Sequence, residues 1–197
     1  MSMLGISFLN EIVRKKEIIN PAKILYELRS AIIDALGQTA DKDSQKDGMD
    51  MSLASINLET GQCLWAGAGN PIWIVRNDLI DKALPEPTEV IEVIKGDNMP
   101  VAINTKMEDY TEHELQLNKG DIIYLFSDGI IDQFGGPDGR KFMTKQLKRI
   151  VTQNVELPLD QQENKIVESL ETWMSPVEGK HQDQIDDITI IGFKYET

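Results

Sequence analysis

The chain has 197 residues and 20 Lys and Arg against 33 Asp and Glu, a formal net charge of −13. That length suits one domain with a sizeable core, and that charge argues against a nucleic-acid partner, because no basic patch or Lys/Arg run is extensive enough to neutralise phosphates. No segment approaches the ~20 apolar residues of a membrane span, no basic leader with a small-residue cleavage site is visible, and the single Cys63 excludes an intrachain disulfide and a Cys-based zinc site.

MSMLGISFLNEIVRKK reads as an amphipathic helix from the first residues, with Leu4, Phe8, Leu9, Ile12 and Val13 on one broad apolar face. Arg14, Lys15 and Lys16 fall in its last turn, where cations complement the helix dipole. A second helix comes next: Asn20 can cap it, Pro21 suits its first position, and Gly37 can end it. Leu25, Leu28, Ile32 and Leu36 recur along one of its faces. Residues 1–37 are thus expected to form two helices that cover a sheet or regulate, with a homodimer as the further possibility, and residues 38–48 an exposed polar loop.

From Met49 the period changes to that of strands. MDMSLASINL and QCLWAGA flank Glu59-Thr60-Gly61, a hairpin turn. PIWIVRN, VIEVI, HELQL and DIIYLFS continue the strands, with Asn118-Lys119-Gly120 as a turn before the last. Cys63 sits inside a strand pattern and reads as a small packed residue, and Trp65, Trp73 and Trp173 read as core. Helical spacing returns in KFMTKQLKRIV and LDQQENKIVESLETWMS, and ITIIGF closes the chain as one more buried strand. Antiparallel strands flanked by helices predict an α+β fold.

Two junctions stand out chemically. Ile122-Ile123-Tyr124-Leu125-Phe126 runs straight into Ser127-Asp128-Gly129. A strand that apolar is buried on both faces, so Asp128 either simply meets water at its exit or is a carboxylate presented from a rigid scaffold. Gly129 permits a turn that a residue with a Cβ resists. Before the last strand, Gln184-Ile185-Asp186-Asp187 again sets carboxylates against a buried run. Carboxylate and water oxygens are what Mg²⁺ or Mn²⁺ prefer, and a two-metal centre would need further acids, for which Asp47, Asp50 and Asp97 are candidates. His113 and His181 lie beside no Ser or Cys in a triad-like setting and read as surface residues, His181 near enough to Asp186 to act as an accessory group. GGPDG (135–139) lacks the context and the Lys-Ser/Thr of a phosphate-binding loop and reads as a turn.

Taken together, KDGMDMSLASINLETGQCLWAGAGNPIWIVR, KGDNMPVAI, KGDIIYLFSDGIIDQFGGPDGRKF and QIDDITIIGF resemble the bacterial metal-dependent serine phosphatases of the SpoIIE type, a branch of the PPM (protein phosphatase 2C) family. The resemblance runs over nearly the whole chain. It implies an αββα sandwich of two antiparallel sheets flanked by helices, and a dinuclear Mg²⁺ or Mn²⁺ centre at which an activated water attacks phosphoserine or phosphothreonine. Asp128 and Asp186 match metal ligands of the family, Gly129 matches the turn glycine, and Asp187, Asp50 and Asn70 are supporting residues. The implied substrate is a phosphorylated regulatory protein of the anti-sigma-factor antagonist kind. The implied setting is cytoplasmic, in a parent protein with an upstream sensor domain that can be membrane-anchored.

The departure is at the start. The family carries two earlier acidic motifs, one of which supplies the carboxylate bridging the metals, and MSMLGISFLNEIV resembles the residues just after them. Residues 1–197 are therefore expected to be a partial, N-terminally truncated phosphatase domain with unpaired sheet edges, weak metal binding and little hydrolysis. The rival reading is a phosphoprotein-binding module without catalysis.

Overall fold

Both predicted end signals of the second helix are in use. In the computed structural model, which describes residues 2–39, 47–80, 82, 86–105, 107–176 and 181–197, helix α2 spans Pro21–Leu36. The Asn20 side chain accepts from the Lys23 N–H at 2.9 Å, and Gly37 turns left-handed at φ +57°, which places the Gln38 N–H 3.0 Å from the Ile33 carbonyl. Helix α1, Ser2–Asn10, runs into a wider π-helical turn, Glu11–Lys15. The wider turn rotates the residues after Asn10 about the axis, so Ile12 is buried and Val13, expected on the apolar face, is exposed. Lys16 pairs with Glu27 at 2.9 Å.

The chain divides into two units, Met1–Ile72 with Ile94–Leu117 and Thr197, and Trp73–Val93 with Asn118–Glu196. The first holds α1, α2 and a sheet of order β1-β2-β5, formed by Met51–Ile56, Gln62–Ala68 and His113–Gln116. Strand β2 pairs antiparallel with both neighbours, from Met51↔Ala68 to Ile56↔Cys63 on one side and Gln62↔Gln116 to Trp65↔His113 on the other. Its core joins Ile24, Leu25, Leu28 and Ile32 of α2 to Ala66, Ala68, Val101 and Tyr110, each fully buried Leu or Ile contributing about 1.5–3 kcal/mol. Leu36 lies in the last turn of α2, beyond that contact, and is exposed rather than on the buried face. Cys63 and Trp65 are fully buried. His113 is half-buried rather than a surface residue, its ring 5.2 Å from that of Trp65. Of the expected polar loop, residues 40–46 lie outside the described residues. Gln38, expected to be exposed, is buried because its amide is satisfied at both ends, by the Asp47 carbonyl at 2.6 Å and the Ile103 N–H at 3.0 Å.

The second unit carries a sheet of order β4-β3-β6-β9, from strands Ile72–Val75 (β3), Ile91–Ile94 (β4), Ile122–Phe126 (β6) and Ile190–Lys194 (β9), of which only the end residues Ile72 and Ile94 fall outside it. Strands β6 and β9 are antiparallel, Ile122 opposite Lys194 and Phe126 opposite Ile190. A one-turn helix α3, Gly129–Asp132, comes after β6, and a short hairpin, β7 Phe134–Gly135 and β8 Arg140–Lys141, leads to α4, Met143–Gln153, and α5, Leu159–Met174. The core gathers Trp73, Tyr124, Phe126, Ile130, Phe142, Leu147, Val151 and Ile166, with Trp73 and Phe126 edge to face at 4.6 Å. Helices with two antiparallel-paired sheets make the α+β class expected. No described helix is long and apolar enough to cross a membrane.

Candidate metal site

The β6–β9 register sets the SDG turn beside the acidic segment. Beyond the Phe126–Ile190 pair the two chains stay tied: the Ser127 N–H donates to the Thr189 carbonyl at 3.0 Å, the Thr189 N–H donates to Ser127 Oγ at 3.0 Å, and that hydroxyl donates to the Asp187 carbonyl at 2.8 Å. Gly129 completes the approach. A Cβ on it would stand 2.5 Å from the Asp187 carbonyl oxygen, so only glycine lets the two backbones lie this close. Gly129, the residue after Asp128, is therefore the neighbour of Asp187 across the pair, and Asp128, Asp186 and Asp187 all lie at the surface.

The carboxylates differ in what occupies them. Asp186 Oδ1 accepts from the Asp187 N–H at 2.7 Å, which orients the group and leaves Oδ2 open among the described residues. The Asp128 side chain has no ion pair or hydrogen bond among the described residues, while its backbone carbonyl accepts from the Asp132 N–H at 2.9 Å. Asp128, at the end of the buried strand β6, and Asp186, four residues before the half-exposed strand β9, are open hard oxygen donors of the kind that fits Mg²⁺ or Mn²⁺, with water completing the sphere. Among the described residues no group of three His, Cys, Asp or Glu forms that could hold a metal.

Asp50 and Asn70 belong to the other unit. There Gly69 has φ +76°, and a Cβ on it would meet the Asp50 carboxyl at 2.5 Å. The Asn70 N–H donates to the Ala68 carbonyl at 2.9 Å. Asp97 is structural: Oδ2 accepts from the Thr111 N–H at 2.7 Å and Oδ1 from the Thr111 hydroxyl at 2.9 Å, while its backbone bonds Gly67 and Gly69. His181 Nδ1 lies 2.8 Å from Ser175 Oγ, and that contact is the one described for its side chain.

Two residues were missed by sequence reasoning. Asp121, at the entry of β6, is 1% exposed and bonds Arg76 Nη1 at 2.8 Å and the N–H groups of Asn77 and Asn118 at 2.9 and 3.0 Å. Its place directly after the Asn118-Lys119-Gly120 turn was the available signal. Gln133 is fully buried and donates Nε2 to the Asp183 carbonyl at 2.9 Å; a polar residue just after SDGIID was its only trace in sequence. A cavity of about 540 Å³ beside β9, lined by Tyr124, Ile130, Leu159, Ile166, Leu170 and Ile190 among others, is largely apolar and offers little to a phosphate.

Comparison with known proteins bears on this arrangement. The family profile of stage II sporulation protein E (SpoIIE) matches residues 1–196. Among solved structures, the SiaA-PP2C domain of Pseudomonas aeruginosa is similar at TM-score 0.78 and 25% identity, over 98% of this chain and 68% of that one. The PP2C phosphatase domain of SpoIIE from Bacillus subtilis, with a fragment of its regulatory domain, is similar at 0.62 and 21%, over 95% of this chain and 47% of that one. The RsbU and RsbW domains of a Mycobacterium tuberculosis protein are similar at 0.66 and 15%, over 96% and 45%. This chain thus spans about two thirds of the first and less than half of the other two. No curated protein matches it. The chain belongs to the SpoIIE family, and its fold is that of PP2C-type phosphatase domains.

Proposed function

We propose that this chain is part of a Mg²⁺- or Mn²⁺-dependent protein serine/threonine phosphatase of bacterial signalling, with Asp128 and Asp186 as metal-holding carboxylates and a phosphorylated regulatory protein of the anti-sigma-factor antagonist kind as substrate. The observation that carries it is the tie between the SDG turn and the Asp186-Asp187 segment through Ser127 and Gly129, which brings the segment carrying Asp186 beside the one carrying Asp128. The family membership supports the reaction class. Regulatory company is supported by the RsbU–RsbW pairing in one structural neighbour and by the regulatory fragment in another, and fits a cytoplasmic domain under an upstream sensor.

When bound, Mg²⁺ or Mn²⁺ supplies an activated water and offsets charge on the transferring phosphoryl group. This chain's residues have simpler tasks. Asp128 is aimed by a strand that cannot shift without opening the core. Asp186 is held by the Asp187 N–H, and Asp187 itself by Ser127. Asp50 and Asn70, expected as supporting residues, lie in the other unit, and a homodimer is a further possibility of this reading.

A second reading has its own observation: the described residues assemble no three-acid group, as a phosphoprotein-binding module without turnover would have it. Manganese-dependent hydrolysis of p-nitrophenyl phosphate separates the two, measured on this chain and on the chain extended upstream by the two acidic motifs of the family. Turnover in the extended form that falls at least about 100-fold in Asp128→Ala supports the phosphatase, outer-shell changes alone being worth about 10–100-fold. No turnover in either form, with phosphoprotein binding kept, supports the module.

A further inference from the structure

We infer that Gln133 is a positioning residue: its buried amide fixes the path of the strap 182–187 and so places the Asp186 carboxylate, a role that rests on the metal reading above. The strap has no regular secondary structure and is exposed along its length. Such a segment holds one path only where its backbone is tied. At its start the Gln182 N–H donates to the Met174 carbonyl at 2.8 Å, and at its end Ser127 holds the Asp187 carbonyl. The middle is held by Gln133. Nε2 donates to the Asp183 carbonyl at 2.9 Å, and Oε1 accepts from the Ile185 N–H at 3.4 Å.

A donor to one residue's carbonyl and an acceptor for the N–H two residues on is what a neighbouring strand gives in a parallel ladder. The side-chain amide therefore stands in for the N–H and carbonyl of a strand residue opposite Gln184. Its orientation is set by its partners, since Nε2 faces two carbonyls, those of Asp183 and of Phe134 at 3.2 Å, and both of its hydrogens are used. Gln133 cannot drift either. It is fully buried, and its own carbonyl accepts from the Phe142 N–H at 2.9 Å and from Trp173 Nε1 at 3.3 Å. The glycines after it serve the same anchorage: a Cβ on Gly135 would stand 2.1 Å from the Trp173 carbonyl oxygen, and the Gly136 N–H donates to that oxygen at 2.7 Å. The QFGG run, which takes no part in phosphate chemistry, thus ties α3, α5 and the acidic strap to one point.

The test is residue-resolved amide hydrogen exchange on this chain, with Mn²⁺-induced broadening of the Asp128 and Asp186 amide signals as the second readout. In the wild type, the Ile185 amide should exchange at least tenfold slower than in an unstructured peptide. Gln133→Met keeps the bulk and loses every side-chain hydrogen bond, and should remove that protection while Ile123 and Leu125 in β6 keep theirs. Gln133→Glu keeps the shape and the acceptor but turns an oxygen toward two carbonyls, and should speed exchange at 183–187 as well. The Mn²⁺ concentration for half-broadening at Asp186 should rise about tenfold in either variant, as changes to groups supporting a ligand do. An unprotected Ile185 amide in the wild type overturns the clamp without any variant being needed. Lost protection with unchanged Mn²⁺ response overturns the placing of Asp186. No Mn²⁺ response in the wild type defeats the metal reading instead, and the exchange data then decide the clamp alone.

Discussion

Asp121 enters β6 and Asp128 leaves it, yet the first is 1% exposed and the second lies at the surface. At the entry, the carboxylate binds Arg76 and two backbone N–H groups, and its own carbonyl accepts from the Tyr195 N–H at 2.9 Å. Arg76 is shared with Glu92 at 2.6 Å. Every partner is an anchor, and burial closes the carboxylate to a ligand. At the exit, the described residues give the Asp128 carboxylate nothing to bind, while the backbone beneath it is tied by Ser127, Thr189 and Asp132. The same side chain is thus structural where its oxygens are consumed and available where only its backbone is. What distinguishes a site acid from a structural acid here is the fate of its oxygens, not its place at a strand end.

Substitution at the entry should have the largest effect on folding. Asp121→Ala leaves Arg76 without its buried partner and two N–H groups unbonded, and should lower stability by about 3 kcal/mol in urea unfolding. A loss below about 1 kcal/mol would erase the contrast between the two ends.

The middle of the strand responds to alkali. Burial pushes the Tyr124 hydroxyl up to about 12, against about 10 in an unfolded chain. The folded state then holds that proton more tightly, so its contribution is whole below pH ~10 and is lost as pH rises toward ~12, by about 2–3 kcal/mol. Tyr124→Phe, compared by unfolding at each pH, should lack this part of the alkaline slope.

At the exit, Gly129→Ala drives a methyl into the Asp187 carbonyl and should cost about 1–3 kcal/mol, with faster exchange at the Ser127 and Thr189 amides as its local sign. The smallest effect sharpens the comparison most. Asp128→Ala should leave stability within about 0.5 kcal/mol while abolishing Mn²⁺ broadening at the turn; a large loss of stability would make Asp128 a second Asp121.

Local signals were legible because local physics enforces them. Asn20, Pro21 and Gly37 bound α2 by capping and φ preference alone, and the apolar run 122–126 needed no tertiary knowledge to be read as a buried strand. The faces of the helices were less legible. Periodicity assumed 3.6 residues per turn, and the π-helical turn at Glu11–Lys15 moved Val13 out of the face it was assigned. Partners at long range were not legible. Nothing in the letters around Asp121 announces Arg76, and nothing in Gln38 announces a carbonyl and an amide that would draw it inside. Gln133 was hidden for the same reason, its partners lying some 50 positions along the chain. For the site, sequence marked the acids, and the register of β6 on β9 supplied the reason that Gly129, next to Asp128, lies against Asp187.

Cys63 has a practical consequence. It is the chain's one cysteine, wholly buried in β2, and burial pushes its thiol up to about 11, so near neutral pH the folded protein presents almost no thiolate to an alkylating reagent. A maleimide fluorophore can therefore be directed to a single new site without first removing the native thiol. Ile185→Cys, whose parent side chain is 55% exposed, would put that dye on the acidic strap itself, and its anisotropy would report the strap's motion in a background that is chemically silent.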